Sequence, residues 1–299
     1  MVDIVDDESF ESFRKNAEKN RMFIRAAERI QLSAEQTKQV EDAVTRSRRA
    51  HEEISKVQNE FESANIPFVI FKTLSNHPDM GLDVDFLVAG KDFRRARDVV
   101  IEKLVGKVVA QSMGSTLAGK VSLSIEGSPI TVEIHGGGFS QIGEYAIDAE
   151  SVIKKSRIVK LFDMEFRVPS PEDGLLIDVI HRIYRHMSIR YSDAYNTRKL
   201  LDDEKLDWAY IVGEADHMGV IPGLVLFLRV SMEKGGDIEN LSAFPYYIGK
   251  MDFFRDYVGK LASDFRHLRF VSLVRMVTLY PALLLLEKAF GRHLKNTFW

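Results

Sequence analysis

The sequence predicts an α+β fold: a small mixed sheet (residues 65–168) between an N-terminal helical segment (1–64) and a C-terminal helical domain (169–299). Three observations carry this. Residues 8–62 are rich in charge and contain neither glycine nor proline, the composition of uninterrupted helix. Short apolar runs with alternating polarity follow, which is the pattern of strands. After Pro169-Ser170-Pro171 the apolar residues return to helical spacing, with breaks marked by glycine.

Residues 8–62 read as two helices. Ser33, with Gln36 three residues later, is a capping-box start for the second. Val40, Ala43, Ser47, Ala50, Ile54, Val57 and Phe61 then recur at three- and four-residue steps. So narrow a stripe suits a helix lying against a partner surface. That surface belongs first to its own chain; the alternative is a second copy, giving a homo-oligomer through the N-terminal helices. Pro67-Phe68-Val69-Ile70-Phe71 reads as a short buried strand and residues 83–88 as another. Residues 91–104 read as a helix with Phe93, Ala96, Val99, Val100 and Leu104 on one side. Residues 121–125 and 130–135 are two strands joined across Glu126-Gly127-Ser128-Pro129, a hairpin signal.

The third region opens with Ser170 as cap, Pro171 in the first helical position, and acidic residues at the positive helix end. Breaks are expected at Gly213, Gly219, Pro222-Gly223 and Gly235-Gly236. The apolar stretch 270–290 is interrupted by Arg275, Pro281, Glu287 and Lys288, so it reads as a buried or interfacial helix and not a membrane span.

Composition narrows the function. A net charge of -3 provides no global positive field for nucleic acid, so a polyanion has to meet a local patch. The absence of cysteine excludes thiol catalysis, cysteine-ligated metals and disulfides. The acidic N-terminus lacks the features of a signal peptide, and the expectation is a soluble, cytoplasmic protein without membrane attachment.

The chemistry is concentrated in Asp83-Val84-Asp85-Phe86-Leu87-Val88. Side chains alternate across a strand, so Asp83 and Asp85 share a face and both can reach one divalent cation. Mg²⁺ takes oxygen ligands and keeps waters that substrate phosphates can replace. Thr131-Val132-Glu133-Ile134-His135 adds a third acid: Val132 and Ile134 enter the core, while Thr131, Glu133 and His135 take the opposite face. A carboxylate in such a strand needs a partner. A metal shared with Asp83 and Asp85, Lys72, or an arginine would each serve.

With these motifs the chain resembles the DNA polymerase β-like nucleotidyltransferase superfamily, closest in pattern to its uncharacterised nucleotidyltransferase and abortive-infection branches. The matching stretches are Phe68-Val69-Ile70-Phe71-Lys72, Asp83 to Val88, and Thr131 to His135. The resemblance implies a nucleotidyltransferase sheet domain with a helical domain behind it. It also implies two Mg²⁺ (or Mn²⁺) ions, with Asp83 and Asp85 binding both and Glu133 binding the one near the acceptor hydroxyl. The family's Gly-Ser or Gly-Gly pair after the first strand is replaced by Lys72-Thr73-Leu74-Ser75. Thr73 and Ser75 could donate to phosphates there and Lys72 could meet one.

A second candidate surface follows Pro171. Asp178, His181, Arg182 and Arg185 form one helical face, continued by His186, Arg190, Tyr191, Asp193, Tyr195, Arg198 and Lys199. Basic and aromatic residues interleaved in this way suit a triphosphate, a base or an RNA backbone. In the branches that the chain resembles, Arg and Asp residues of a comparable helix lie near the nucleotide, and Arg190-Tyr191-Ser192-Asp193 and Leu206-Asp207-Trp208 loosely resemble that pattern; Arg182, Arg185, Arg190 and Asp193 are the nucleotide-binding candidates.

Two motifs are decoys. Gly114-Ser115-Thr116-Leu117-Ala118-Gly119-Lys120-Val121 fails as a P-loop because Val121 replaces the Ser/Thr ligand and a strand follows. His135-Gly136-Gly137-Gly138 resembles an esterase oxyanion loop, but the chain has no Gly-x-Ser-x-Gly. His135 by itself reads as a packed or hydrogen-bonded histidine.

The expected activity is transfer of a nucleoside monophosphate from an NTP, ATP first, to a hydroxyl with release of pyrophosphate. RNA such as a tRNA end is the slightly favoured acceptor. The alternative is an impaired module of the same fold that binds RNA or a protein.

Overall fold

The computed structural model describes residues 2–3, 6–109, 113–139, 143–236, 238–249, 258, 260–267, 269 and 274–279. Most of the apolar stretch 270–290, expected to be a buried or interfacial helix, lies outside the described residues.

The chain opens with three helices where the sequence predicts two: α1 (Asp7–Lys19), α2 (Phe23–Ala27) and α3 (Ala34–Ser63). The extra break falls at Asn20 to Met22, where the Met22 N–H donates to the Ala17 carbonyl (2.8 Å) and the Arg21 N–H to the Glu18 carbonyl (3.0 Å). Tertiary packing outweighs local propensity here, because the break lets Phe10, Phe23 and Ile24 enter one core with the C-terminal helices. The second start is as expected: Ser33 Oγ accepts from the Gln36 N–H (3.3 Å) and Gln36 Oε1 from the Ser33 N–H (3.0 Å). Such a cap contributes about 1 kcal/mol. Ser47, Ala50, Ile54, Val57 and Phe61 of the α3 stripe are buried on the protein's own body, and Val40 and Ala43 pack partly.

Five strands form one mixed sheet: β1 (Phe68–Phe71), β2 (Asp83–Val88), β3 (Gly106–Val108), β4 (Lys120–Ile125) and β5 (Thr131–His135). Their spatial order is β1-β2-β5-β4-β3. Only the β2–β5 pair is parallel, with Asp83 opposite Thr131 and Asp85 opposite Glu133. On one face Ile70, Val84, Phe86, Val132 and Ile134 meet α3 and α4 (Phe93–Lys103). Phe61, Phe68 and Phe86 meet there edge to face or tilted at centroid distances of 5.2 to 5.8 Å. Each aromatic pair adds roughly 0.5–1.5 kcal/mol beyond its buried area. An antiparallel hairpin of β6 (Arg157–Leu161) and β7 (Met164–Val168) closes this core through Phe166.

The opposite face is apolar at its β1 end, where Val69, Phe71 and Leu87 join the helical core. Farther along, the face becomes polar. After two short helices, α5 (Met113–Leu117) and α6 (Ala149–Lys154), the helices covering it are α7 (Pro171–Val179), which continues as a π-turn over Ile180–Arg185, then α8 (Tyr191–Asp203), α9 (Trp208–Met218) and α10 (Ile221–Lys234). Ser170 caps α7 through the Asp173 N–H (3.2 Å).

Two of the expected breaks are not breaks. Gly213 lies inside α9, and Pro222-Gly223 begins α10; Gly219 and Gly235 do end helices. A helical glycine costs about 1 kcal/mol against alanine, which packing readily offsets. At Gly223 the reason is visible: an added Cβ would come 2.6 Å from the Tyr184 hydroxyl, which accepts the Gly223 N–H at 3.2 Å. Among the described residues no helix is long and apolar enough to cross a membrane.

Candidate functional site

The polar part of the sheet face lies under the C-terminal helices and encloses a cleft of about 270 Å³. Its floor follows from strand alternation. The residues beside Glu133 in register are Asp85 on β2 and Ser122 on β4, while Lys120 is beside His135. Asp83, Asp85, Glu133, His135 and Lys120 therefore all line the same cleft.

Asp85 is the buried centre, 7% exposed. Lys72 Nζ lies 2.8 Å from its Oδ1, and His135 Nε2 lies 2.9 Å from the same oxygen. Glu133 accepts the Ser122 hydroxyl (3.1 Å), is ion-paired to Lys120, and sits 3.8 Å from His135 Nε2. Burial works against the charge on both acids, yet Lys72 and His135 hold Asp85 below the usual carboxylate range. His135 and Lys120 do the same for Glu133. Asp83 differs. Its carboxylate makes no hydrogen bond or ion pair to a described residue, and partial burial with repulsion from Glu133 and Asp85 raises its pKa.

The loop after β1 fixes this geometry. Lys72 takes a left-handed backbone (φ 59), the conformation glycine adopts most easily. The positive φ at this corner is thus kept without the glycine. Thr73 lines the cleft, but its hydroxyl donates to the Asp83 carbonyl (3.1 Å) and accepts the Asp85 N–H (3.2 Å), clamping the strand that carries both acids. Ser75 points elsewhere: its hydroxyl donates to the Lys72 carbonyl (2.5 Å), and it lines a neighbouring cleft.

The roof is basic. Asp178, His181, Arg182, Arg185, His186, Arg190 and Asp193 all line the cleft. The His186 N–H donates to the His181 carbonyl (3.1 Å), the five-residue step of the π-turn. Such turns gather at functional sites because they redirect side chains within a helix. Arg182 Nε lies 2.7 Å from Asp193 Oδ2, an ion pair whose angle falls outside hydrogen-bond geometry. The Arg190 N–H also donates to Asp193 (2.7 Å). Burial and neighbouring cations depress His181 strongly, bring His186 to about 3, and bring Arg190 down to about 10. Cations crowded to that degree favour a bound anion.

Two carboxylates and an imidazole, Asp85, Glu133 and His135, bring ligand atoms within 4.8 Å of one another. This donor set fits a divalent cation; Asp83 lines the same cleft but is not among the three groups brought together. The carboxylate oxygens suit Mg²⁺, and the imidazole widens the choice toward Mn²⁺. Lys72 and Lys120 now balance charge that a cation would otherwise neutralise.

The cleft thus gathers every nucleotide-binding candidate except Ser75. Tyr191 is buried in the core, and Tyr195 and Lys199 line the neighbouring cleft. Arg198 pairs with Asp202, Asp207 caps α9 through the Tyr210 N–H, and Trp208 is exposed. Sequence reasoning did not single out Arg21 or Lys120; His135, read as packed or hydrogen-bonded, is both, facing Asp85 and packing on Phe71 and Phe139. His135 carried a signal, being two residues past Glu133 on the same strand face; Arg21 carried none.

Asp178 gives a pH prediction. Burial, then repulsion by Asp193, raises its pKa to about 7 against Arg182 and Lys72. An acid raised in the folded state gives stability that is complete below its unfolded pKa of about 4 and is lost as pH climbs to about 7. Asp178→Asn removes that loss. The variant should match the wild type near pH 4 and exceed it at pH 8 by on the order of 2–4 kcal/mol. Urea unfolding across that range checks it, and an advantage independent of pH would refute it.

A family model described as "Uncharacterised nucleotidyltransferase" matches residues 30–233. No curated protein matches the chain. Among solved structures, a protein described as a nucleotidyltransferase from Thermotoga maritima is 20% identical, with a TM-score of 0.34, over 51% of this chain and 92% of that one. The antibiotic-resistance factor ANT(2'')-Ia, solved in solution, is 13% identical with a TM-score of 0.33, over 72% of this chain and 95% of that one. Both scores lie below the level at which a common fold follows from them.

Proposed function

The chain belongs to the uncharacterised nucleotidyltransferase family, and from that premise we propose that it is a metal-dependent enzyme moving a nucleoside monophosphate from an NTP to a hydroxyl. The observation that carries this reading is the cleft itself, with acids on its floor facing cations on its roof. Asp83, Asp85 and Glu133 would hold Mg²⁺ or Mn²⁺, with His135 beside them. A bound cation neutralises phosphoryl oxygens and favours ionisation of the attacking hydroxyl.

The protein's own groups do the positioning. Arg182, Arg185 and Arg190 hold the triphosphate, and Lys72 exchanges part of its hold on Asp85 for a phosphate oxygen. Thr73 acts indirectly by fixing β2. The acceptor oxygen bonds to the α-phosphorus as the α–β bridge breaks, and pyrophosphate leaves toward the basic roof. Glu133 orients the hydroxyl and relays its proton to solvent, since Lys120 and His135 keep its own carboxylate ionised. The roof's charge suits a triphosphate and an anionic acceptor; ATP is the first choice of donor, and RNA such as a tRNA end is the first choice of acceptor.

One observation favours a second reading, an impaired module that binds RNA or protein: Lys72 and Lys120 already neutralise Asp85 and Glu133. The test incubates the protein with each α-labelled NTP, Mg²⁺ or Mn²⁺, and extract split into RNA, protein and small-molecule fractions. Label in one fraction is expected and names the acceptor. No transfer with any NTP, alongside RNA binding that weakens steeply with salt, would favour the module.

A further inference from the structure

We infer that Arg21, from the N-terminal segment ahead of the family match, is a phosphate-binding residue of the cleft; this rests on the nucleotide reading above. Four observations converge on it.

The first is backbone. Arg21 closes α1 in a left-handed conformation (φ 55), with its N–H on the Glu18 carbonyl and the next N–H on the Ala17 carbonyl. Glycine, sometimes asparagine, is the residue this helix end favours. An arginine there is held at a conformational penalty, and such penalties persist where the surroundings over-determine them.

The second is anchorage. Asn20 accepts the Tyr191 N–H (3.1 Å) on its side chain and the Ser192 N–H (3.3 Å) on its carbonyl, tying the corner to the start of α8. On the other flank Asp79 accepts the N–H groups of Ile24 (2.6 Å) and Arg25 (3.2 Å) and pairs with Arg25 Nε (3.1 Å). Arg25 in turn donates to the Arg21 carbonyl (2.7 Å).

The third is direction. The Arg21 side chain lines the cleft and lies over Gly81, where an added Cβ would fall 2.8 Å from the guanidinium. Asp83 on the floor and Arg190 on the roof line the same cleft, so the guanidinium shares it with both.

The fourth is vacancy of function. The guanidinium makes no hydrogen bond or ion pair to any described residue. A planar fork of donors at the mouth of a cation-lined cleft matches a phosphate group. The family match begins at residue 30, so this group is supplied from outside it.

The test titrates the full chain with inorganic tripolyphosphate in Mg²⁺ by calorimetry. Arg21→Gly relieves the left-handed corner, so its Tm should equal or exceed the wild type's while affinity falls at least tenfold. Arg21→Lys, keeping charge without the fork, should fall between. Gly81→Ala displaces the guanidinium without altering Arg21 and should weaken binding as well; it decides the matter if Arg21→Gly lowers Tm. If Arg190→Ala loses affinity while Arg21→Gly and Gly81→Ala keep it, Arg21 has no such role and the nucleotide reading stands. If the wild type binds neither tripolyphosphate nor ATP, both fall.

Discussion

Asp85→Ala is expected to abolish nucleotide transfer and to destabilise the protein at once. Asp85 is the hub of the floor: Lys72 and His135 converge on one of its oxygens, and Glu133 lies beside it in register. Removing it takes away a cation-binding oxygen and leaves the Lys72 ammonium buried and unpaired. The loss of transition-state stabilisation should reach about 10²–10³-fold or more in turnover. Deleting one partner of a buried pair costs about 3–5 kcal/mol. Asp83→Asn is the informative contrast. Its carboxylate is repelled by Glu133 and Asp85 and has no hydrogen-bond or ion-pair partner among the described residues, so activity should fall similarly while stability holds or rises. Turnover of α-labelled ATP and thermal unfolding of the two variants check this. Equal destabilisation by both would contradict the partner assignment, and full activity in either would remove it from the site.

Arg182→Ala should be the most damaging change in the roof. Arg182 is 5% exposed and Asp193 6%, so truncation strands a buried carboxylate at a cost of about 3–5 kcal/mol. Replacing both members, Arg182→Met with Asp193→Leu, should recover part of that stability, because an apolar pair strands no charge, while the Arg190 N–H still loses its acceptor. The double variant should still bind ATP poorly, since the guanidinium is gone. A double-mutant cycle read by unfolding and by calorimetry separates these two roles. Recovery of stability and ATP affinity together would mean that Arg182 is structural only.

Much of the floor was legible in the sequence. Strand alternation placed Asp83, Asp85 and Glu133 on one face, and the parallel register of β2 and β5 brings Asp85 and Glu133 side by side. The basic face of Asp178, His181, Arg182 and Arg185 was legible as a group from helical spacing, yet Arg185 reaches the cleft through a π-turn that regular spacing does not describe. The Ser33 cap and the stripe of α3 are equally local. Thr73 and Ser75 show the limit. Both carry hydroxyls in one short loop, yet one clamps β2 inside the cleft and the other turns away, a choice made by loop dihedrals that no periodicity describes.

Sequence by itself thus determined the element types, the shared faces of the acids and of the basic helix, and the family they resemble. Tertiary structure alone decided which charges meet. It set Lys72 on Asp85 and Lys120 on Glu133, drew His135 into the acidic cluster, and brought Arg21 over Gly81. The physical reason is range. Periodicity acts within one element, whereas these pairings join different elements: strand pairing brings Lys72 to Asp85 and Lys120 to Glu133, and Arg21 arrives only when the helical segment packs over the sheet.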